Sequence, residues 1–423
     1  MSGALPRVLV PRLPFFYGWI ILFCACCAGF ARQGGALATL TIFVEPMTRE
    51  FGWSRAAISG AVSLGGLLAA VAVPPLGRLL DRTGARLVLC VAVLTTSAAN
   101  LLLSLTSSLT MFYLLFCVAR TNFAGPFDLG IYGAVNNWFV VRRTFVTGIA
   151  TLAQMAGLVC LPLIAEAAMS YGSWRSAWVA VGLTVLIVGF VPTWLFMVRR
   201  PEDIGLAPDR RVTPHAAHRP LAPEPHFTRR QALRAPAFWL LCLYALVAFP
   251  VQSGVSLHQA PYLIECGLSP AVAATTVSTF SFMSGVACIG FGLFPRSAPI
   301  SYALALSGVA LAAGTLAMPG IATPRQAYFA ASIFGIGVGG LMTLLPIAWA
   351  DYFGRASFGA IRGIALSVQV LAQALGPLLS GVLRDWSGSY RLSLQCFIAL
   401  SCLSVIAALL ARQPAPSVSV KTG

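Results

Sequence analysis

The stretch Gly77-Arg78-Leu79-Leu80-Asp81-Arg82-Thr83-Gly84-Ala85-Arg86 lies between two long apolar runs. Its glycines permit a tight turn and a close approach between helices. Its single carboxylate, Asp81, can bind at the N-terminus of a neighbouring helix, where the helix dipole favours negative charge. The stretch therefore predicts a short charged loop that joins two apolar helices. It also predicts that Asp81 lies against the start of a distant apolar segment, near Gly363, which is the eleventh of the segments given below.

The composition of the whole chain extends this prediction to a membrane protein. Of the 423 residues, 58% are hydrophobic and 9% are charged, and the mean hydropathy is +0.83. Ordinary soluble domains carry roughly 25% charged residues, because each folded domain needs a polar surface. The composition excludes a soluble globular protein, a collagen-like or disordered chain and a disulfide framework.

The positive net charge does not indicate nucleic-acid binding. Of the 28 basic residues, 27 are arginines that lie mostly between apolar runs, which is the pattern of loop charges that set membrane topology. The only lysine is Lys421, so the chain has no Gly-Lys-Ser/Thr phosphate loop. Neither the eleven cysteines nor His215, His218 and His226 have the spacing of a metal site. The sequence predicts no metal and no cofactor.

Twelve apolar runs are long enough to cross a bilayer as helices, which takes about 20 residues each. Helices are expected because lipid offers no partner for an unpaired backbone group. The fold class is therefore all-α, with twelve transmembrane segments. They are predicted at 16–44, 57–80, 86–106, 109–137, 145–168, 176–198, 236–259, 271–294, 299–319, 326–349, 363–383 and 392–411.

The distribution of Arg and Lys predicts the orientation. Both tails and the loops on their side of the membrane hold 20 of these residues, the opposite side holds 6, and Arg32 and Arg120 lie inside segments. Because the excess belongs in the cytoplasm, both termini are predicted to be cytoplasmic, in a plasma (inner) membrane. The Pro- and Arg-rich stretch 199–235 is predicted to be a flexible cytosolic linker between two sets of six segments.

The two halves are related by an internal repeat. At an offset of 215, the matched residues are Pro46, Glu50, Gly52 and Ser54 with Pro261, Glu265, Gly267 and Ser269, and Gly148, Gln154 and Pro162 with Gly363, Gln369 and Pro377. A parallel duplication of six helices is typical of one large transporter class, with the substrate site between the halves. The predicted domains are a tail (1–14), a bundle (15–198), the linker (199–235), a second bundle (236–412) and a tail (413–423).

The opening stretch resembles the cytoplasmic signature of the major facilitator superfamily, Gly-x-x-x-Asp-Arg-x-Gly-x-Arg. All five characteristic positions are present: Gly77, Asp81, Arg82, Gly84 and Arg86. The resemblance implies the major facilitator fold and a cytoplasmic gate at these residues. The counterpart in the second half, near 290–296, has Phe294 or Pro295 in place of the acid, which implies a gate on one side of the pseudo-symmetry.

Further strings resemble bacterial members related to monocarboxylate transporters and oxalate–formate antiporters. They are Phe51-Gly52-Trp53-Ser54-Arg55, Asn137-Trp138-Phe139 with Arg142-Arg143, Gly172-Ser173-Trp174-Arg175, Arg200-Pro201-Glu202-Asp203-Ile204-Gly205-Leu206 and Asp351-Tyr352-Phe353-Gly354-Arg355 with Phe358-Gly359. The resemblance implies a secondary transporter for small organic anions. Two departures leave open whether protons or a counter-anion are coupled: 271–294 carries no charge, and only Gly157 and Pro162 remain of the antiporter pattern in the fifth segment.

Ionisable residues inside the membrane are the main candidates for substrate contact, because burying one costs about 2.5–3.5 kcal/mol. Arg32 lies in the first segment, and Arg120 and Asp128 lie in the fourth. Two arginines with one acid predict a positive cavity, and a guanidinium matches both oxygens of a carboxylate. Arg32 and Arg120 are therefore predicted to bind a carboxylate substrate. The alternative is that they pair with Asp128 or helix ends and only hold helices together.

Uncharged polar residues in the segments form a second set of candidates. Asn122, Gln154, Gln369 and Gln373 either donate hydrogen bonds to the substrate or join helices. Asp128 and His258 are candidates for coupling, with packing as the alternative for His258.

Three other functions remain possible. An exporter of hydrophobic compounds predicts an apolar cavity without buried arginine. A membrane enzyme is disfavoured because the chain has no His-Glu-x-x-His pair and no Gly-x-Ser-x-Gly elbow. A non-transporting sensor or assembly factor would be expected to carry an added soluble domain. The leading prediction is a monomeric transporter that works by alternating access.

Overall fold

The computed structural model describes residues 4–209, 225–294 and 298–414. Within these ranges the chain forms helices and turns and no strand, which confirms the all-α prediction. Helices occur at all twelve predicted segments: Gly18–Arg32 with Leu37–Phe51, Arg55–Thr83, Ala85–Leu103, Leu109–Ala124 with Pro126–Trp138, Arg143–Ser170, Trp174–Val185 with Val191–Phe196, Pro236–Glu265, Pro270–Gly292, Ile300–Leu316, Pro324–Phe353, Phe358–Ser387 and Arg391–Leu410.

Ten of these segments are long and apolar enough to cross a membrane when the first and the sixth are each counted across their internal turn. The ninth, Ile300–Leu316, is apolar but has 17 residues. The fourth consists of two helices of 16 and 13 residues, Leu109–Ala124 and Pro126–Trp138. The fourth segment breaks at Gly125 because Pro126 has no N–H to donate to the carbonyl of Asn122, four residues earlier.

The first segment is interrupted next to the break in the fourth. A 3₁₀ turn, Gln33–Gly35, separates Gly18–Arg32 from Leu37–Phe51. A Cβ atom at Gly35 would overlap with the carbonyl oxygen of Ala119, so only glycine allows the two backbones to approach this closely. The close approach places Arg32, the last residue of its helix, beside the broken part of the fourth segment.

The chain divides into two compact units. The first unit is Met1–Glu224 with Arg355–Ser367, and the second is Pro225–Gly354 with Val368–Gly423. The eleventh helix, Phe358–Ser387, therefore begins in the first unit and continues in the second. The division into 15–198 and 236–412, and the repeat axis between them, stay predictions.

The predicted flexible stretch 199–235 has defined structure at both ends. Asp209 accepts hydrogen bonds at 2.5–2.8 Å from three successive backbone N–H groups, those of 140–142. A short helix, Arg229–Arg234, begins with reciprocal capping by Thr228 and Gln231. At 199–209 and 225–235 a carboxylate and a capping box therefore satisfy backbone donors, and the linker between two sets of six segments stays a prediction. The remaining part, with His215 and His218, lies outside the described residues, as do Pro295, Arg296 and Lys421.

Candidate functional site

Arg32 connects three segments of the first unit. Its Nε donates a hydrogen bond to the carbonyl oxygen of Phe123, at 2.8 Å, just before the break in the fourth segment. Its Nη1 donates to Oε1 of Gln154 in the fifth segment, at 2.5 Å. The side chain is 13% exposed. Two oriented contacts therefore hold the guanidinium in a side chain that is largely buried.

Arg120 lies near Arg32 but makes no comparable hydrogen bonds within the described ranges. The guanidinium carbons of both arginines lie 4.6 Å from the centroid of the Phe123 ring, a distance at which a ring attracts a cation. The Nε of Arg120 is buried without a hydrogen-bond partner, and no acid of the described residues lies within 4.0 Å of it. Arg120 therefore brings a positive charge and an unused donor to the same aromatic ring.

Asp128 pairs with two arginines, neither of which is Arg120. It lies in the first turn of Pro126–Trp138 and is 3% exposed. Its Oδ1 accepts hydrogen bonds from Nε and Nη2 of Arg362, at 3.0 and 2.8 Å. Its Oδ2 lies 3.6 Å from Nη1 of Arg32. The break in the fourth segment stabilises this carboxylate, because it gives Asp128 a helix N-terminus in mid-segment.

Arg362 is a site residue that the sequence did not reveal. Counted by position, it belonged to the cytoplasmic loop arginines, because the apolar run that predicts the eleventh segment starts at 363. The helix instead starts at Phe358, so Arg362 lies inside it and is 1% exposed. Its Nη1 is buried without a partner among the described residues. The apolar residues before it, Phe358 and Ile361, were the signal that the helix extends further.

The charges of this region do not balance. Arg32, Arg120 and Arg362 bring three positive charges to the first unit, and Asp128 is the one buried acid that pairs with any of them in the described chain. Two buried guanidinium nitrogens, on Arg120 and Arg362, have no acceptor in the described chain. An unpaired buried charge is costly, so the region favours an added anion.

Gln154 positions Arg32, and Asn122 faces elsewhere. Gln154 is 3% exposed; its Oε1 accepts from Arg32 and its Nε2 donates to the hydroxyl of Tyr132, at 3.1 Å. The Nδ2 of Asn122 donates to the hydroxyls of Thr95 and Thr96, at 2.8 and 3.1 Å. Asn122 therefore joins the fourth segment to the third.

The remaining predicted polar residues lie in the second unit. The Nε2 of Gln373 donates to Oε1 of Gln252, at 3.2 Å. The backbone carbonyl of Gln373, which Pro377 deprives of its helical donor, accepts from the hydroxyl of Ser253 at 2.7 Å. Gln369 has no hydrogen bond among those found in the described residues. These contacts tie the seventh segment to the eleventh.

The signature stretch meets the start of the eleventh helix, as expected from the sequence. The two oxygens of Asp81 accept hydrogen bonds from the backbone N–H groups of Gly359 and Ala360, each at 2.8 Å. A Cβ atom at Gly77 would overlap with the carbonyl oxygen of Gly359. The contact is internal to the first unit. It confirms that Asp81 lies at a helix N-terminus, where unsatisfied donors favour a carboxylate.

The other residues of the signature have different surroundings. Gly84 has a positive φ of 85° and ends the second helix, which explains the glycine. Nη2 of Arg86 donates to the carbonyl oxygen of Trp194, at 2.6 Å, and its guanidinium lies 4.8 Å from that ring. Arg82 is exposed. Arg86 therefore ties the third segment to the sixth.

Comparison with known proteins identifies relatives along most of the chain. An oxalate:formate antiporter of Oxalobacter formigenes is 23% identical over 390 residues, covering 88% of this chain and 87% of that protein. Monocarboxylate transporter 11 of Mus musculus is 25% identical over 403 residues, covering 89% and 83%. The membrane sensor protein UhpC of Salmonella typhimurium is 25% identical over 325 residues, covering 72% of each.

Solved structures agree on the fold. The proton:xylose symporter XylE, bound to 6-bromo-6-deoxy-D-glucose, superposes with a TM-score of 0.70 at 14% identity, over 93% of this chain and 94% of that one. At this identity the likeness shows the fold alone. The sequence profile of the Major Facilitator Superfamily matches residues 21–324, which is more than half of the chain. The chain belongs to the major facilitator superfamily, a family of multi-pass membrane transporters rather than enzymes.

Proposed function

We propose that the protein transports a small organic anion, such as a monocarboxylate, by alternating access. The observation that carries this proposal is the excess of guanidinium groups over carboxylates around Phe123 and Asp128. Relatives named as an oxalate:formate antiporter and a monocarboxylate transporter support the substrate class. The same excess of charge counts against an exporter of hydrophobic compounds.

Arg32 and Arg120 have complementary roles in the proposed binding of an anion. Arg32 is held by Phe123 and Gln154, so little side-chain entropy is lost when an anion binds to it. Arg120 has a donor without an acceptor among the residues that the structure describes, and the anion supplies that acceptor. A charge-assisted hydrogen bond of this kind contributes about 1.5–3 kcal/mol.

Asp128 connects the anion site to the start of the eleventh helix. An anion at Arg32 competes with Asp128, which lies 3.6 Å from the same guanidinium nitrogen. The other oxygen of Asp128 holds Arg362 near the start of Phe358–Ser387. Asp81 holds the first backbone N–H groups of that helix. Occupation of the site thereby changes the partners of a helix that must move when the cytoplasmic gate opens.

The position of this gate follows from the proposed topology. The arginine excess supports cytoplasmic termini and therefore a cytoplasmic position for Gly77, Asp81, Arg82, Gly84 and Arg86. We place the protein, as a monomer, in the inner membrane on the same grounds. That the substrate site lies between the two halves stays a prediction.

A non-transporting sensor is a second candidate, because the chain is 25% identical to a protein named as a membrane sensor. A sensor and a transporter can share a binding site, so the residues around Phe123 do not separate them. A transporter moves the ligand across the membrane and a sensor does not, so an assay of that movement distinguishes the two.

Uptake by purified protein in proteoliposomes tests the proposal. Labelled formate, oxalate and lactate are offered with and without a pH gradient, and with and without the same anion inside. We expect saturable uptake of at least one anion, lost in Arg32→Gln. Binding without uptake supports the sensor. Neither binding nor uptake of any carboxylate contradicts the proposed substrate class.

A further inference from the structure

We propose that the first unit contains a binding site for a phosphate group, formed by Arg199, Arg200 and Arg355 beside the signature stretch. The inference goes beyond anion transport, since it concerns a different ligand and a site at the gate. Arg199 and Arg200 follow the sixth segment, and Arg355 lies just before the eleventh helix, Phe358–Ser387. All three arginines belong to the first unit.

A small polar cavity lies among these arginines. Its lining includes the three arginines, Asp81 and Asn137, and most of the lining surface is polar. The enclosed space is about 10 Å³, which is room for one water or one phosphate oxygen, and the mouth of the cavity is open. A phosphate group can therefore place one oxygen in the cavity and the others among the side chains at its mouth.

A second cavity, in the second unit, has different walls. It lies beside His258, whose ring nitrogens lie 3.1 Å from the hydroxyl of Tyr390 and 3.2 Å from the carbonyl oxygen of Pro377. Its lining surface is almost entirely apolar. Because both ring nitrogens are already paired, the imidazole offers an anion no free donor.

Arg200 supplies the unused donors of the proposed site. Its side chain is half-buried and makes no hydrogen bond or ion pair with any residue that the structure describes. A guanidinium carries five N–H donors in a planar fork that matches the oxygens of a phosphate. Because a half-buried charge is poorly solvated, an acceptor at this position would be stabilising.

Arg199 and Arg355 are held in place beside the same cavity. Nη2 of Arg199 donates to the backbone carbonyl oxygen of Asp81, at 2.8 Å. Nη1 of Arg355 donates to the carbonyl oxygen of Asn137, at 2.9 Å, and its Nη2 donates to Oε1 of Glu202, at 2.6 Å. These contacts orient two guanidinium groups before a ligand binds, so little side-chain entropy is lost on binding.

The charges at the cavity favour an added anion. Asp81 is the one carboxylate in the lining, and its two oxygens accept from backbone N–H groups of the eleventh helix rather than from an arginine. Glu202 pairs with Arg355. Three guanidinium groups with two carboxylates leave one positive charge among these groups, which attracts an anion.

A phosphate with three free oxygens fits this site better than a carboxylate does. The donors come from two separate stretches, one after the sixth segment and one before the eleventh helix. A carboxylate has two oxygens and one charge, whereas inorganic phosphate or a phosphate monoester has at least three acceptor oxygens and up to two charges. It can therefore bind guanidinium groups of both stretches at once.

The position of the site allows the phosphate to be a free anion or part of a lipid headgroup. Trp194, five residues before Arg199, is 51% exposed, and tryptophan is enriched where a membrane protein meets the lipid headgroups. The proposed site therefore lies near the level of lipid phosphates. The arginine excess predicts that this level is on the cytoplasmic side.

A bound phosphate would strengthen the contact between the signature stretch and the eleventh helix. Arg199 holds the carbonyl oxygen of Asp81, and the carboxylate of Asp81 holds the N–H groups of Gly359 and Ala360. A phosphate between Arg199 and Arg355 would connect the two sides of this contact a second time. The anion would therefore oppose opening of the proposed gate.

Phosphate binding to the purified full chain in detergent tests the proposal. Inorganic phosphate is titrated calorimetrically at constant ionic strength, with chloride as the reference anion. We expect saturable binding that Arg200→Gln weakens by roughly tenfold, because a charge-assisted contact is lost. Arg200→Lys should weaken it less, because an ammonium keeps the charge. Arg12→Gln, which removes an exposed arginine of the same unit, should leave phosphate affinity unchanged.

A lipid experiment identifies the source of the phosphate group. Wild type and Arg200→Gln are placed in phosphatidylcholine nanodiscs with and without phosphatidic acid, and native mass spectrometry measures the phosphatidic acid that each protein retains. Retention that depends on Arg200 assigns the site to a lipid headgroup. Arg200-dependent binding of inorganic phosphate alone assigns it to a free anion, and either result supports the site.

Two outcomes overturn the proposal. The first is that neither probe binds, or that Arg200→Gln weakens binding no more than Arg12→Gln does. The second is phosphate binding that is lost in Arg32→Gln and kept in Arg200→Gln, because the anion would then occupy the proposed transport site. The experiments use no carboxylate ligand, so their result is independent of the proposed substrate.

Discussion

Asp128 and Arg362 form a buried ion pair in which one carboxylate oxygen accepts two hydrogen bonds, at 3.0 and 2.8 Å. The other oxygen of Asp128 faces Arg32 at 3.6 Å. A single acid thus serves an arginine at the proposed anion site and an arginine at the start of the eleventh helix. This arrangement allows a bound anion to affect the helix that Asp81 also contacts.

The Asp128–Arg362 pair should show strong coupling between its members. Asp128→Asn and Arg362→Gln should each destabilise the purified protein by about 3–5 kcal/mol. The first change leaves Arg362 buried without a carboxylate, and the second leaves Asp128 with only Arg32, at 3.6 Å. The double variant should lose less than the sum of the two. Denaturant unfolding in detergent measures all four proteins, and additive losses would show that the pair is not coupled.

Asp81→Asn should slow transport while leaving the protein inserted. The amide has one oxygen to accept from the N–H groups of Gly359 and Ala360, and it lacks the charge that the helix N-terminus favours. The check is the initial rate of anion uptake at equal membrane abundance. Arg82→Gln, which changes an exposed neighbour of Asp81, is the control. An uptake rate in Asp81→Asn equal to that of the wild type would show that Asp81 has no role in the gate.

Gly77→Ala should destabilise the first unit. The added methyl group would overlap with the carbonyl oxygen of Gly359 and would push the start of the eleventh helix away from Asp81. Gly66→Ala in the same helix meets nothing within 4 Å, and it should raise stability by about 0.5–1 kcal/mol because alanine favours a helix over glycine. Melting temperatures in detergent should therefore move in opposite directions, and a shared direction would contradict the close contact.

Gln154→Glu should abolish anion binding without unfolding the protein. The new carboxylate would replace the amide that accepts from Arg32 at 2.5 Å. Its negative charge would neutralise the positive charge of Arg32, which would otherwise attract the anion. The repeat-equivalent change, Gln369→Glu, lies at a side chain without a hydrogen bond among those found in the described residues, and should have a smaller effect. Equal losses of anion affinity in the two variants would show that Gln154 has no special role in anion binding at Arg32.

Much of this architecture could be predicted from residue patterns. Twelve apolar runs located every segment, and the carboxylate in the loop after the second segment was correctly placed against the eleventh. Both predictions follow from local rules. The length of an apolar run predicts a membrane span, and a carboxylate is stabilised at a helix N-terminus. The pairing of Asp128 with arginine could be proposed from its depth alone, because a membrane acid requires a partner.

The sequence does not predict which arginine pairs with Asp128, nor the break in the fourth segment. The apolar run predicts a helix that starts at 363 and leaves Arg362 in a loop, because the run ends at a charge. The helix includes Arg362 because a distant carboxylate, that of Asp128, neutralises the charge. The apolar run 109–137 predicts one continuous helix, whereas the chain breaks at Gly125 and Pro126, and this break gives Asp128 its helix N-terminus. Long-range pairing explains the first feature, because Asp128 and Arg362 are more than 200 positions apart. The break follows locally from Pro126.

The most direct test of the anion proposal is the affinity of purified protein for formate, oxalate and lactate, measured calorimetrically with melting temperature as a stability control. Arg32→Gln and Arg120→Gln should each weaken binding by roughly ten- to a hundredfold, the equivalent of about 1.5–3 kcal/mol. Arg32→Lys should bind more weakly than the wild type but more tightly than Arg32→Gln, because an ammonium keeps the charge without the planar fork. Unchanged carboxylate affinity in both glutamine variants would contradict the proposal and leave the arginines as purely structural partners.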